Sequence, residues 1–374
     1  MIRLARPDID DDDISAVVQV LRSGNLIQGE QVRAFEAMLA ERTGVPHVAA
    51  VANGTAALHL ALLALGVRAD DRVAVPTYSW PATANAVVLC GAIPVFVDIE
   101  PESLGMDPAS LDQLLQRDRR IRAVLPVHVF GRMAKIAELI GVAEAHGIPV
   151  VEDAACALGA AKDGRGAGSW GTMGAFSFHP RKAATTGEGG AVVCRAPEHL
   201  RALQILRNHG QDPSAATPDF VAAGFNLRLT EFQAALGRMQ LAKYDQMLAA
   251  RRRQARRYDN LLRDLPLSVP LADPLETHVY QAYVVLLEPS LAARRDSIIR
   301  SLRARGVEAA IGTYHMPLLT YFRHAFGQVA GTHPVGESVA ARAIALPLYR
   351  ALTDDDQERV AAALRAAIAE SVIC

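Results

Sequence analysis

Apolar and polar positions along the chain fall into two regimes that change near residue 195. Between about residues 45 and 195, short β-branched apolar runs alternate with helix-length amphipathic or apolar stretches. Seven runs read as strands: HVAAVA (47–52), RVAVPT (72–77), IPVFVD (93–98), RAVLPVHV (122–129), IPVVED (148–153), GAFSFH (174–179) and GAVVCR (190–195). Continuous rather than alternating apolar runs belong to strands covered on both faces, and helix-length connections between them imply parallel neighbours. The last two runs are joined by a short connection that fits an antiparallel hairpin, so the expectation is an α/β fold with a mixed, mostly parallel seven-stranded sheet.

Beyond residue 195 the pattern becomes more helical. EHLRALQILRNHG leads through a polar loop to GFNLRL, and then comes a long helical stretch, TEFQAALGRMQLAKYDQMLAARRRQARRYDNLLRDL. Thr230 and Gln233 have the spacing of a capping box at its start. The RRRQARR run reads as a solvated helix face. Later signals, HVYQAYVVLLE, SIIRSLRARG and DDDQERVAAALRAAIAE, suffice for a smaller α/β unit. The expected division is a large domain over 1–245 and a small C-terminal domain over 246–374, with the long helix as the bridge and the N-terminal segment packed on the small domain. Asp10 to Asp13 read as the negatively charged first turn of a helix.

Composition narrows the function classes. Of the 374 residues, 51% are hydrophobic and 21% charged, and the formal net charge is −1. That balance argues against a broad electrostatic surface for nucleic acid or an anionic membrane, so an anionic ligand needs local groups. Four scattered cysteines, Cys90, Cys156, Cys194 and Cys374, form neither a CxxC pair nor a zinc-like spacing. They fit a reducing compartment and no metal site. With no apolar leader and no membrane-length run, the expected location is the cytoplasm.

Several motifs carry candidate chemistry. In VANGTAALHLALLALG a strand runs through Asn53-Gly54-Thr55-Ala56 into a helix apolar almost all round; small residues at a buried helix N-terminus suit a phosphate or a plain N-cap turn. Asp153 of IPVVEDAACALGA stands at the carboxyl end of a strand, where open α/β sheets bind ligands, and Glu152 alternates to the other face. Trp80 of VPTYSWPATANAV lies beyond a strand end and fits either core or a ring-stacking platform. In SFHPRKAATTGEGG a single lysine, Lys182, sits between two buried runs. A lysine amine with a reference pKa of about 10.4 is a poor nucleophile until it is desolvated or enters a Schiff base. A phosphate cradle, a strand-end carboxylate, an aromatic plane and such a lysine together suit covalent pyridoxal phosphate.

The chain resembles the DegT-type (DegT/DnrJ/StrS) sugar aminotransferases of the aspartate-aminotransferase fold, fold type I of the pyridoxal-phosphate enzymes. LARPDI, SGNLIQG, NGTAALHLAL, VPTYSWPATANAV, EDAACALGA, SFHPRKAATTGEGGAVV, LRNHG, GFNLRLTEFQAALG, TYHMPL and ALPLY carry the resemblance, in order and almost end to end. It implies a Schiff base between Lys182 and pyridoxal 5′-phosphate, with pyridoxamine 5′-phosphate as the intermediate form. Ser177, Thr55 and Ala56 would bind the phosphate, Asp153 the pyridine nitrogen, and Trp80 would stack on the ring. Asn226 would reach the phosphate from a neighbouring subunit, which makes the protein a homodimer with shared sites. The implied reaction moves an amino group from L-glutamate, giving 2-oxoglutarate, to a nucleotide-diphosphate keto-sugar, with a 4-keto-6-deoxyhexose as the leading acceptor. Arg181, Arg228, His209 and Arg207 are candidates for the nucleotide phosphates.

Two positions depart from the pattern: Cys156 stands where glutamine or histidine is usual, and Leu227 where an aromatic is frequent. Cys156 is expected to be a small buried hydrophobe. A deoxysugar dehydratase on this fold would have histidine in place of Lys182, a keto-cyclitol aminotransferase a glutamine-rich stretch in place of SFHPRK, and a non-catalytic binder no need for the lysine.

Overall fold

The computed structural model describes residues 1–270 and 275–373; Cys374 lies outside the described residues. All seven apolar runs are strands. Four, in the order His47–Val51, Gly190–Cys194, Met173–Ser177 and Val151–Asp153, make one hydrogen-bonded set. Three more, in the order Ile93–Val97, Arg72–Pro76 and Ile121–Val124, make another. Parallel bridges Val124–Val150 and Val127–Asp153 join the sets into one seven-stranded sheet. Gly190–Cys194 runs antiparallel to both its neighbours, and the other pairings are parallel.

Side chains alternate between two cores. Ala49, Val51, Met173, Ala175 and Val192 face one, with the helix Gly54–Ala64. Val48, Ala50, Phe176, Ala191 and Val193 face the other, with Phe35, Leu39 and Leu241. Burial on both faces is why these runs carry almost no polar residues. Every residue of the helix Gly54–Ala64 from Ala56 to Leu62 is buried, and each fully buried leucine there contributes about 1.5–3 kcal/mol. That burial fixes the helix N-terminus against the sheet edge where the candidate site forms.

A second, antiparallel sheet has the order Leu267–Ser268, Tyr283–Leu287, Ala343–Leu346, Ala310–Ile311. Its core gathers Tyr258, Tyr283, Ile298, Leu302 and Leu364. Ile2 joins it, donating from its N–H to Gly306 O at 2.8 Å, so the N-terminal segment lies against this sheet.

The acidic run starts the helix Asp11–Ser23, capped by Asp10. The Thr230–Gln233 box also forms, with Gln233 Oε1 accepting from Thr230 N at 3.1 Å. Two expectations are corrected. The long helix is two helices, Glu231–Ala242 and Tyr244–Leu261, parted at Lys243, whose ammonium serves Asp10 at 2.6 Å and Asp13 at 2.5 Å. RRRQARR is also not wholly solvated: Arg251 is 5% exposed and donates to the carbonyls of Tyr280, Gln281 and Leu348. Burial pulls its guanidinium down to about 10, and neutral carbonyls replace the water it has lost.

Candidate active site

The site forms where the carboxyl ends of Val151–Asp153 and Met173–Ser177 meet the N-terminus of Gly54–Ala64. Gly54 packs so tightly on the neighbouring strand end that a Cβ there would lie 2.7 Å from Ser177 Cβ and 3.1 Å from its Oγ. Only glycine allows this approach. Asn53 caps the helix, its Oδ1 accepting from Ala56 N at 2.9 Å. The N–H of Ala56 is thereby spent, while those of Gly54 and Thr55 have no partner among the described residues. Two free donors at a helix N-terminus with the Ser177 hydroxyl against them suit a phosphate group.

Asp153 is 5% exposed. Its Oδ2 accepts from Thr83 Oγ1 at 2.8 Å and its Oδ1 from Ala155 N at 3.2 Å. Burial raises its carboxyl above the usual range, opposed by those two hydrogen bonds and by the charge of Lys182. A carboxyl in this state gains most from a cation placed beside it. Thr83 was not singled out from sequence, although it lies three residues beyond Trp80 in the same motif.

Lys182 is half-buried, its N–H donating to His179 O at 2.8 Å. Its Nζ donates to Cys156 Sγ at 3.0 Å. Cys156 is therefore not the inert buried hydrophobe expected, but a half-buried thiol on the lysine. A small pocket beside them is lined by Ala155, Ser177, Tyr244 and Gln281. Gln281 donates from Nε2 to Arg181 O at 3.0 Å, next to the lysine. Sequence reasoning took Gln281 into a strand run; instead Tyr280, at φ 48°, ends an irregular segment, and the strand begins at Tyr283.

Trp80 is 59% exposed, with the edge of Tyr314 at 5.5 Å between centroids. Asn226 is exposed and bridges Asn208 through the backbone, while Leu227 O accepts from Ala52 N at 2.9 Å. The candidate cations are in different situations. Arg181 is exposed on a cleft shared with Arg303 and Glu308. Arg228 donates to Asn208 Oδ1 at 2.5 Å. His209 is exposed and held at φ 59°. Arg207 is removed from the set: it is 6% exposed and committed to Glu36 at 2.6 Å and to Ala50 O at 2.8 Å.

The chain matches the DegT/DnrJ/EryC1/StrS aminotransferase family over residues 7–365. It belongs to that family. As a member it is a pyridoxal-phosphate-dependent aminotransferase of fold type I. It is 35% identical to the GDP-perosamine synthase of Caulobacter vibrioides over 97% of each chain. It is 36% identical to the UDP-N-acetyl-3-dehydro-alpha-D-glucosamine 3-aminotransferase of Acidithiobacillus ferrooxidans, over 95% of this chain and 93% of that one. Among solved structures it superposes, with a TM-score of 0.93 and 27% identity over 98% of each chain, on Spr1654 of Streptococcus pneumoniae, described as a sugar aminotransferase and solved in its PMP form. None of the described helices is long and apolar enough to cross a membrane.

Proposed function

We propose that this aminotransferase moves an amino group from L-glutamate to a nucleotide-linked keto-sugar, working as a homodimer. One observation above all supports the reading: Lys182, Asp153, Ser177 and an open helix N-terminus converge at one end of the sheet. The family's cofactor, when bound, supplies an electron sink for the charge left on a substrate carbon. The residues present fit it. The Ser177 hydroxyl, the Thr55 side chain and the N–H groups of Gly54 and Thr55 form a cradle for its phosphate. Asp153 pairs with its ring nitrogen: a cation there offsets the desolvation that otherwise raises this carboxyl. Trp80, largely exposed, would offer its aromatic face to the ring.

Lys182 would hold the cofactor covalently and, once released, would take and return the proton at the substrate's amine-bearing carbon. Asn226, exposed and next to the segment that pairs with Ala52, serves the phosphate of the partner's site. Arg181, Arg228 and His209 receive the nucleotide phosphates. The nucleotide-sugar reading is supported by the relatives' names, which carry both GDP and UDP.

Glutamate should therefore convert the PLP-loaded protein to its pyridoxamine form and release 2-oxoglutarate. A panel of GDP-, UDP- and dTDP-linked keto-sugars, with 4-keto-6-deoxyhexoses first, should then restore the starting spectrum. Release of 2-oxoglutarate with no acceptor in the panel would refute the sugar assignment, and no release at all would refute glutamate as donor.

A further inference from the structure

The roles above leave Cys156 unused, yet among the described residues it is the one side chain hydrogen-bonded to the Lys182 amine. Lys182 Nζ donates to Cys156 Sγ at 3.0 Å. Among the described residues no carboxylate lies within ion-pair distance of that amine. Asp153 is near enough to feel the lysine's charge, but its oxygens face Thr83 and Ala155. The backbone on both sides is fixed. Lys182 N is bonded to His179 O at 2.8 Å and Arg181 O to Gln281 at 3.0 Å, while Ala157 N donates to Ala154 O at 2.8 Å across the turn that carries Cys156.

A buried ion pair between Lys182 and Asp153 would be costly to break in every cycle, because separating it strands two charges out of water. It would also occupy the carboxylate that the ring nitrogen needs. Sulfur is a weak acceptor, so a thiol directs the amine without locking it. Resting on the reading of Lys182 as the cofactor lysine, we infer that Cys156 is a positioning residue: it holds the freed ε-amine beside Asp153 but out of an ion pair with it.

Two arms test this. In cofactor-free protein, alkylation of each cysteine by iodoacetamide is followed by peptide mass spectrometry. A neighbouring ammonium stabilises the charge on an attacking sulfur, so Lys182→Met should slow modification of Cys156 several-fold and leave the buried Cys90 and Cys194 unchanged. Equal Cys156 rates in the two proteins would overturn the contact. The second arm mixes cofactor with protein and quenches with borohydride at intervals. Cys156→Ala should lower the rate of trapping on Lys182 by about tenfold, Cys156→Ser should recover part of it, and reversible cofactor affinity should change by less than about threefold.

A Cys156→Ala variant that traps at the wild-type rate would sink the positioning role. So would an affinity loss as large as the rate loss, which would make Cys156 a cofactor contact. Failure of the wild-type protein to trap anything on Lys182 would instead refute the underlying reading, and the alkylation arm would still decide whether the contact exists.

Discussion

Glu152 and Asp153 are neighbours on one strand, both buried, and they face opposite sides of the sheet with opposite fates. Glu152, 0% exposed, accepts from the N–H groups of Gly168 (2.8 Å), Trp170 (2.6 Å) and Gly171 (2.7 Å). A fourth donor is His128 Nε2 at 2.9 Å; its other ring nitrogen accepts from Ala134 N, so the ring proton sits on Nε2. Asp153 has two donors, Thr83 and Ala155. A carboxylate has about four acceptor sites. Glu152 is full and ties the loop at 168–171 to the sheet; Asp153 keeps capacity to spare and lies near enough to Lys182 to feel its charge. Both carboxylates are buried, so what separates the two is unspent hydrogen-bonding capacity, and the proposed function assigns that capacity at Asp153 to the cofactor.

The largest effect expected is at Lys182, whose charge Asp153 feels. Lys182→Ala should lower transamination by at least about 10³-fold while circular dichroism and melting stay near wild type. Asp153→Asn should cost about 10²- to 10³-fold in turnover. At neutral pH it should leave the cofactor-free protein as stable as before or more so: burial raises this carboxyl, so ionising it costs folding free energy that the amide does not incur. Glu152→Gln should do the reverse, losing about 2–3 kcal/mol in denaturant unfolding because an amide N–H₂ now faces N–H donors, with activity per folded molecule retained. If the two variants behave alike in both assays, the contrast is wrong.

A third buried group extends the series to no partner at all. His315 is 7% exposed, and neither ring nitrogen has a hydrogen-bond partner among the described residues. Burial pushes its imidazole down to about 4, opposed by Glu337 and Asp98 and assisted by His333. The unfolded imidazole takes up its proton near 6.5, above the folded value, so the unfolded state binds more protons between about pH 6.5 and 4 and stability falls as pH drops through that window. His315→Leu should flatten this limb of a denaturation series by up to about 3 kcal/mol, with the smallest effect of the set on activity. An unchanged limb would mean that the imidazole is already satisfied.

The strands were legible because two-sided burial writes itself as contiguous apolar residues, and the antiparallel pair at 173–177 and 190–194 because its connection is short. The helix N-terminus was legible as small residues after a strand. That Asn53 takes the N–H of Ala56 and leaves those of Gly54 and Thr55 free is a matter of rotamer and could not be read. Lys243 parts two helices without glycine or proline, and its ion pairs reach residues more than 200 positions away. Arg251 looked solvated because a charge run gives no sign of carbonyls arriving from another element. The Lys182–Cys156 contact joins two motifs 26 positions apart, and nothing in either announces the other.

Borohydride reduction of the PLP-loaded protein, followed by peptide mapping, tests the central claim most directly. The account predicts one phosphopyridoxyl adduct, on the peptide carrying Lys182 and absent from Lys182→Ala. An unmodified Lys182 peptide, or the adduct on another lysine, would contradict it.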